Sequence, residues 1–251
     1  MRFVLLGVLA FCAALSSADA RTIKVGTLTL TPCIAEYDGY CGGIVRPLDP
    51  AHRVPGTITI GFEFYPHTDM SKPPLGTIMA QEGGPGYSTT GSRDGYVRLF
   101  TPLRDRRDIV LIDKRGTGRS GVIDCPALQK GRGLDAVRAC GRQLGKAAWL
   151  YTSNIAADDV AAVLAALHTG PVDYYGDSYG TFFGQVFAVR HPDLLRTMVL
   201  DSAYPTIGQD VFFQTEIQNG PAAFAIACER SPSCDHAKAR TRFVTLLNAL
   251  R

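Results

Sequence analysis

The sequence has few of the features that mark special classes of protein, and each shortage excludes one class. Its charged residues make up only 20% of the chain and form no run of one sign, and the formal net charge is +3. The Lys and Arg residues form no cluster that could bind the phosphates of a nucleic acid, so we expect no nucleic-acid partner. A hydrophobic fraction of 46% over 251 residues excludes a disordered or collagen-like chain and is typical of a folded protein with a sizeable core.

Hydrophobic stretches long enough to cross a bilayer are also missing, and residues 1–20 instead have the pattern of a secretory signal peptide. Arg2 gives a positive start, Phe3–Leu15 is a short apolar stretch, and Ala18-Asp19-Ala20 is a small-x-small cleavage site. A buried N-terminal helix is the alternative. We predict cleavage after Ala20, no membrane span, and a secreted or periplasmic mature protein from which Cys12 has been removed.

Six of the seven cysteines lie beyond Ala20, an even number in an export context that permits disulfides. They fall into three close sequence pairs, and pairing within each closes its loop at the least entropic cost. A zinc site is the alternative, but none of the spacings is C-x2-C and the histidines are not placed with the cysteines, so we expect no metal. The predicted disulfides are Cys33/Cys41, Cys125/Cys140 and Cys228/Cys234.

Two hydrophobic patterns divide the mature chain. Thr22–Thr29 and Thr57–Tyr65 alternate and predict antiparallel strands, with a Pro/Gly/Cys-rich connection between them. From Leu75 onward, short and nearly continuous apolar runs predict strands buried on both faces. Helical signals fall between the runs, most clearly over Ser153–His168 with Ser153 as N-cap. This alternation predicts an α/β fold with a mainly parallel sheet flanked by helices. The continuous runs are Gly76–Ala80, Ile109–Ile112, Val172–Tyr175 and Thr197–Leu200.

The character of the sequence changes again near residue 201. Asp201–Gly220 is mixed and punctuated by Gly and Pro, and Pro221–Arg251 predicts two short helices around the last cysteine pair. We therefore divide the mature chain into a core, residues 21–201, and a segment, residues 202–251, that packs over the sheet.

The clearest chemical motif is Gly176-Asp177-Ser178-Tyr179-Gly180, a G-x-S-x-G sequence between a predicted strand and the helical stretch Thr181–Arg190. A sharp turn there forces the serine into a strained conformation, and the flanking glycines let neighbouring chain approach closely. Ser178 is thus the candidate nucleophile, presented at the C-terminal edge of the sheet.

Two further turns follow predicted strands. Gln81–Ser88 contains Gly-Gly-Pro-Gly, whose exposed amides suit an oxyanion hole; we assign Gly84 as donor together with the amide of Tyr179. Read alone, this loop is equally typical of an ordinary turn. Asp113–Gly121 contains G-x-G but matches neither phosphate-loop pattern, so we expect no nucleotide and no other cofactor.

In sequence and order, these turns resemble the alpha/beta-hydrolase fold and, within it, the prolyl and tripeptidyl aminopeptidase branch of secreted serine peptidases. The resemblance extends to Arg46-Pro-Leu-Asp49 and to the Cys228/Cys234 pair, where members of the branch begin a helical lid. It implies hydrolysis through an acyl-enzyme on Ser178. Glu82 is a departure, because several members carry histidine before the glycines.

The resemblance also implies an acid and a histidine after the nucleophile, in that order. Asp201 is the best-placed acid, at the end of the run Thr197–Leu200. His191 suits the end of a helix and His236 the surface better than either suits a catalytic base. Since the resemblance places a lid and two further strands before the histidine, we expect the sequence to be the front part of a longer enzyme.

Three functions are compatible with these residues. The first is a peptidase that cleaves short peptides or amides from their N-terminal end, and the second is an esterase, because the same elbow serves both kinds of acyl transfer. The third is an inactive extracellular binding or scaffold protein. The expected partner is a small peptide or ester substrate, and the oligomeric state is left open.

Overall fold

The computed structural model describes residues 21–131, 133–205 and 214–250. The predicted signal peptide, residues 1–20, lies outside these ranges. Within them no single helix has both the length and the hydrophobicity to cross a membrane, although one bent pair, Leu134–Leu150 with Ser153–Leu167, passes by length and composition.

In the described residues, eight strands form one sheet in the order β1-β2-β3-β4-β6-β5-β7-β8. The first four strands and the β4–β6 pair run antiparallel, whereas β6, β5, β7 and β8 are parallel to one another. The predicted α/β fold is confirmed, as a mixed sheet whose later half is parallel. The strands are β1 (Ile23–Val25), β2 (Leu28–Ile34), β3 (Gly39–Pro47), β4 (Thr57–Tyr65), β5 (Thr77–Gln81), β6 (Asp108–Ile112), β7 (Val172–Asp177) and β8 (Leu195–Asp201).

The N-terminal strands differ from the prediction in two ways. Thr22–Thr29 is a hairpin of two strands rather than one strand. The predicted connection contains β3, which pairs with β4 from Tyr40 to Pro47. The sequence did not predict β3 because the strand contains glycines. A Cβ at Gly42 would lie 2.5 Å from the Phe62 ring, so this position must be glycine for that large core ring to pack there.

The α-helices of the described residues form two groups, one before and one after the last strand, β8, in the sequence. Those that precede β8 or connect the strands are α1 (Arg93–Leu99), α2 (Pro126–Lys130), α3 (Leu134–Leu144), α4 (Ser153–Leu167) and α5 (Tyr179–Arg190), and those that follow β8 are α6 (Gln214–Glu229) and α7 (His236–Ala249). The N-cap of α4 is Thr152, whose hydroxyl accepts from the Ile155 amide at 3.4 Å. The prediction of Ser153 as N-cap was wrong by one residue, because Thr and Ser are both good caps and stand side by side.

The parallel strands separate two apolar layers. On β6, Val110 and Ile112 belong to the layer that packs α4 and α5, while Ile109 and Leu111 belong to the layer beneath α1. A strand buried on both faces has no polar side to show, which is why its sequence is a continuous apolar run. β8 was predicted to be buried in the same way, but in the described chain it pairs only with β7 and Val199 is 55% exposed.

A buried ion pair joins α4 to the third turn. Arg115 Nε lies 2.7 Å from Asp159 Oδ2, and the two side chains are only 1% and 2% exposed. Arg46 of β3 approaches the other carboxylate oxygen at 3.3 Å. Because both charges are out of water, each depends on the other for its solvation.

The structure joins the three cysteine pairs proposed above: Cys33–Cys41, Cys125–Cys140 and Cys228–Cys234. Residues up to Ala203 form one compact unit, and those from Tyr204 onward form another. In the second unit α6 and α7 pack together through Phe224 and Phe243, whose rings stack with centroids 4.7 Å apart.

Candidate active site

Ser178 is the single residue between β7 and α5, and its backbone is strained. Its φ of 51° and ψ of −124° lie in a region that side-chain-bearing residues rarely occupy. The turn is tight enough that a Cβ at Gly176 would lie 2.5 Å from the carbonyl oxygen of Gly180. The two glycines of the G-x-S-x-G motif are therefore required by the close approach of the chain on either side of the serine.

The loop after β5 lies directly against this turn. A Cβ at Gly83 would lie 2.8 Å from Ser178 Cβ and 3.2 Å from Ser178 Oγ, and a Cβ at Gly180 would overlap the carbonyl oxygen of Gln81. The Gly83–Gly86 loop is thus within reach of a group bound at Ser178, which is the arrangement that an oxyanion hole requires.

The amides beside Ser178 differ in what they bind. The Gly83 N–H donates to Glu82 Oε1 at 2.8 Å. Across residues 21–131, 133–205 and 214–250, the amides of Gly84 and Tyr179 donate to no protein acceptor. These are the two amides that the sequence assigned to the oxyanion hole, and they remain available for a ligand.

Lys114 lies beneath the loop with only 5% of its surface exposed. Its ammonium donates to the Glu82 carbonyl at 2.9 Å and approaches Gln81 Oε1 at 3.4 Å, and it lies 5.8 Å from the centroid of the Tyr179 ring. Burial lowers the pKa of Lys114 to about 8, and the nearby carboxylates, Asp113 first, offset only part of that effect.

The third turn, Asp113–Gly121, holds the glycine loop in place. Asp113, which is fully buried, accepts from the Thr90 amide at 2.9 Å, the Ser88 hydroxyl at 3.0 Å and the Arg119 amide at 2.7 Å. One carboxylate thereby joins the segment after the glycines to the turn after β6. The sequence showed the motif but not this role, which depends on a contact between distant parts of the chain.

The carboxyl groups of Glu82 and Asp177 lie at the edge of the sheet beside Ser178, and each affects the ionisation of the other. The Tyr96 hydroxyl donates to Asp177 Oδ1 at 2.5 Å. Burial raises the pKa of Asp177, and the charge on Glu82 raises it further. Burial alone would also raise the pKa of Glu82, but hydrogen bonds from Ser92 and the Gly83 amide outweigh it and lower that pKa.

The candidate acid, Asp201, and the candidate bases, His191 and His236, belong to different elements. Asp201 ends β8, where its carbonyl accepts from the Ser178 amide at 3.2 Å and its carboxylate accepts from Tyr175 at 2.9 Å. His191, which the sequence placed at a helix end, follows α5, and its Nε2 lies 2.9 Å from Asp158 Oδ1. The side chain of His236 lies outside the described part of the structure. In the described residues no histidine hydrogen-bonds to Ser178 or Asp201.

A cleft of about 240 Å³ adjoins the elbow. Its walls include Pro85 and Gly86 of the loop together with Tyr151 and Tyr179, so a group of a substrate bound at Ser178 could enter it. Among the described residues, no group of three or more His, Cys, Asp or Glu side chains could hold a metal ion.

Comparison with known proteins identifies the family of the fold. The sequence profile of the alpha/beta hydrolase fold matches residues 76–250. The chain belongs to this family. Within the alpha/beta hydrolases, it is 26% identical over 235 residues to "Tripeptidyl aminopeptidase" of Streptomyces lividans, covering 82% of this chain and 43% of that protein.

Two more proteins are similar to this alpha/beta hydrolase. "Serine protease Hip1" of Mycobacterium bovis is 26% identical over 247 residues, covering 84% of this chain and 46% of that protein. The crystal structure of proline iminopeptidase from Mycobacterium smegmatis has a TM-score of 0.49 and 18% identity, covering 83% of this chain and 55% of that one. The chain spans less than half the length of the curated relatives described here.

Proposed function

We propose that this protein is a secreted serine hydrolase of peptidase type that cleaves short peptides or amides from their N-terminal end. The single observation that carries the proposal is the strained Ser178 backbone against the Gly83–Gly86 loop, where within the described residues the amides of Gly84 and Tyr179 donate to no protein acceptor. The names of its relatives, an aminopeptidase and a serine protease, favour amides over other acyl substrates.

The chemistry follows from these groups. Ser178 Oγ attacks the substrate carbonyl carbon and gives up its proton to a base, and the carbonyl oxygen becomes an oxyanion that accepts from Gly84 and Tyr179. The tetrahedral intermediate then collapses, and the leaving amine takes the proton from the base. Water attacks the resulting ester on Ser178 by the same route in reverse, which releases the acid and restores the hydroxyl.

The base and the acid need separate proposals. Asp201 is the acid we favour, because it ends the strand next to β7 and its carbonyl already contacts the Ser178 amide. We assign the base to none of the described histidine side chains, and His191 is engaged by Asp158. By the same resemblance, we propose that α6 and α7 are the first helices of a lid.

The decisive experiment is covalent labelling of the natural full-length protein with an aryl phosphonate, read by intact mass and peptide mapping. We expect one adduct on Ser178, none in Ser178→Ala, and normal labelling in Ser71→Ala, which removes an exposed hydroxyl elsewhere. A folded wild-type protein that gains no adduct on Ser178 would remove the nucleophile and with it the proposed function.

Substrate class is tested by comparing aminoacyl anilides with short acyl esters. Turnover of the anilides, lost in Ser178→Ala, supports the peptidase. Turnover of esters alone would replace it with an esterase of the same fold. Ligand binding that Ser178→Ala leaves unchanged, with turnover of neither substrate set, would indicate a binding or scaffold protein.

A further inference from the structure

The cleft beside the elbow has a wall that is built from two segments of the chain. A Cβ at Gly116 would lie 2.9 Å from Tyr151 Cδ1 and 3.0 Å from Ile123 Cδ1, so both side chains pack on the Gly116 backbone. Pro85 of the Gly83–Gly86 loop and Tyr179 of the elbow also line the cleft. Aromatic and aliphatic groups therefore make up much of the surface that a bound group would meet.

The polar side chains of the cleft are engaged within the protein. The hydroxyl oxygens of Ser153 and Tyr179 lie 2.7 Å apart, and the Thr117 hydroxyl donates to the Lys114 carbonyl at 2.7 Å. The Lys114 ammonium donates to the Glu82 carbonyl at 2.9 Å. Because these groups already have partners, a substituent in the cleft gains mainly from the burial of its own apolar surface.

The charges of the cleft are of one sign. Lys114 and Arg115 line it, and none of its described lining residues is acidic. Arg115 donates from Nε to Asp159 and from Nη1 to two backbone carbonyls. Its Nη2 is buried, with no partner among the described residues, and so is closed to a group in the cleft. A basic substituent would therefore meet two like charges, and an acidic one would lose its water to donors that are occupied or buried.

The position of the cleft indicates which part of a substrate enters it. In the sheet, β6 lies on one side of β5 and β7, and β8 lies on the other. The turn after β6 bounds the cleft, whereas the candidate acid, Asp201, ends β8. Because the acid orients the base and the base protonates the leaving group, the leaving amine belongs on the β8 side of Ser178. The acyl part of the substrate then lies on the side of the cleft.

We propose that this cleft binds the side chain of the substrate residue whose carbonyl Ser178 attacks, and that it selects an apolar or aromatic side chain over a charged one. The inference rests on the proposed function and gives it a substrate class. The cleft volume of about 240 Å³ is sufficient, because a cavity of about 150 Å³ holds a benzene ring. Ile123 and Tyr151 are then specificity-determining residues.

The test compares diphenyl phosphonates of amino acids that differ only in their side chain, as labels of the natural full-length protein. Ser178 Oγ displaces one phenoxide from phosphorus and its proton leaves with the phenol, so each adduct keeps the side chain. We expect the labelling rate constant to be at least about tenfold larger for a benzyl side chain than for methyl, aminobutyl or carboxyethyl. Any of these three that labels as fast as benzyl would overturn the proposal.

Two substitutions at Ile123 change the size of the cleft in opposite directions. Ile123→Ala widens it and should raise the rate for a naphthylmethyl side chain relative to benzyl. Ile123→Trp fills it and should lower the benzyl-to-methyl ratio at least about tenfold. Val122→Ala and Val122→Trp are the matched controls, because Val122 is 58% exposed and does not line the cleft. A benzyl-to-methyl ratio unchanged in Ile123→Trp would refute the assignment of the cleft.

A second probe separates this inference from the proposed function. An alkyl fluorophosphonate carries no amino acid side chain, so its reaction with Ser178 reports on the nucleophile and on the fold of each variant. Labelling of Ser178 by this probe without discrimination among the diphenyl phosphonates would remove the cleft assignment alone. A folded protein in which neither probe labels Ser178 would remove the proposed function.

Discussion

Replacing Ser178 with glycine should stabilise the protein while it removes the candidate nucleophile. A non-glycine residue held at a φ of 51° carries roughly 1–3 kcal/mol of backbone strain. Glycine relieves that strain but costs about 0.5–1 kcal/mol through its larger freedom in the unfolded chain. Little else is lost, because the Ser178 hydroxyl makes no hydrogen bond within the described residues. The net expectation is a gain of about 1 kcal/mol.

Urea unfolding at equilibrium measures this gain as a higher midpoint at unchanged slope. Ser178→Ala is the matched variant: it removes the same hydroxyl but keeps Cβ and the strain, so its free energy of unfolding should lie within about 0.5 kcal/mol of the wild type. Ser233→Gly, at an exposed serine without positive φ, should lose about 0.5–1 kcal/mol.

The relative free energies of unfolding of these three variants decide whether the Ser178 backbone is strained. If Ser178→Gly is no more stable than Ser178→Ala, the serine is not strained in the folded protein. The tight strand-to-helix turn would then need another explanation, and the argument that the fold stores strain at this residue would be wrong.

Three further substitutions change residues that pack around the candidate active site or stabilise the turns that form it. Gly180→Ala, whose Cβ would overlap the Gln81 carbonyl, should cost about 2 kcal/mol or more and abolish Ser178 labelling. Asp159→Asn leaves the buried Arg115 charge unpaired and should cost about 3–5 kcal/mol in urea unfolding. Because the pKa of Lys114 is about 8 when folded against 10.5 ordinarily, the folded protein binds fewer protons in that window. Its free energy of unfolding should therefore rise with pH between about 8 and 10.5, by up to about 3 kcal/mol relative to Lys114→Met, and should be level below about 8, where Lys114 is protonated in both states.

Control substitutions at open or exposed positions should not produce these losses. Gly141→Ala, where a Cβ meets nothing within 4 Å, should be neutral or slightly stabilising. Asp135→Asn removes a carboxylate whose side chain is 96% exposed and should change stability by less than about 0.5 kcal/mol. Equal losses at the buried and exposed positions, or parallel pH curves for wild type and Lys114→Met, would contradict the reasoning.

The predictable parts of the fold were those with local causes. The run before Ser178 and the glycines around it predicted a strand, a turn and a helix in the right order, because each depends on neighbours in sequence. β3 could not be recognised, since its glycines serve the packing of Phe62 rather than a turn. The burial of β8 was overestimated because an apolar run does not say how many neighbours the strand has.

The candidate site divides in the same way. Ser178, Gly84 and Tyr179 lie in motifs, so the sequence could name them before any geometry was known. The contact of the Lys114 ammonium with the Glu82 carbonyl joins distant segments, and no local pattern encodes it. The sequence marked Glu82 only as a departure from the resemblance and gave it no role. The structure shows that its carboxylate accepts from the Gly83 amide.

The outer side of β8 has a practical consequence for work with this chain. In the described residues that side has no neighbouring strand, and Val199 projects into solvent beside it. A bare strand side is a template on which another copy can pair its own backbone. Purified at high concentration, the 251-residue chain should associate through this side, and a charged substitution such as Val199→Lys should keep it dispersed.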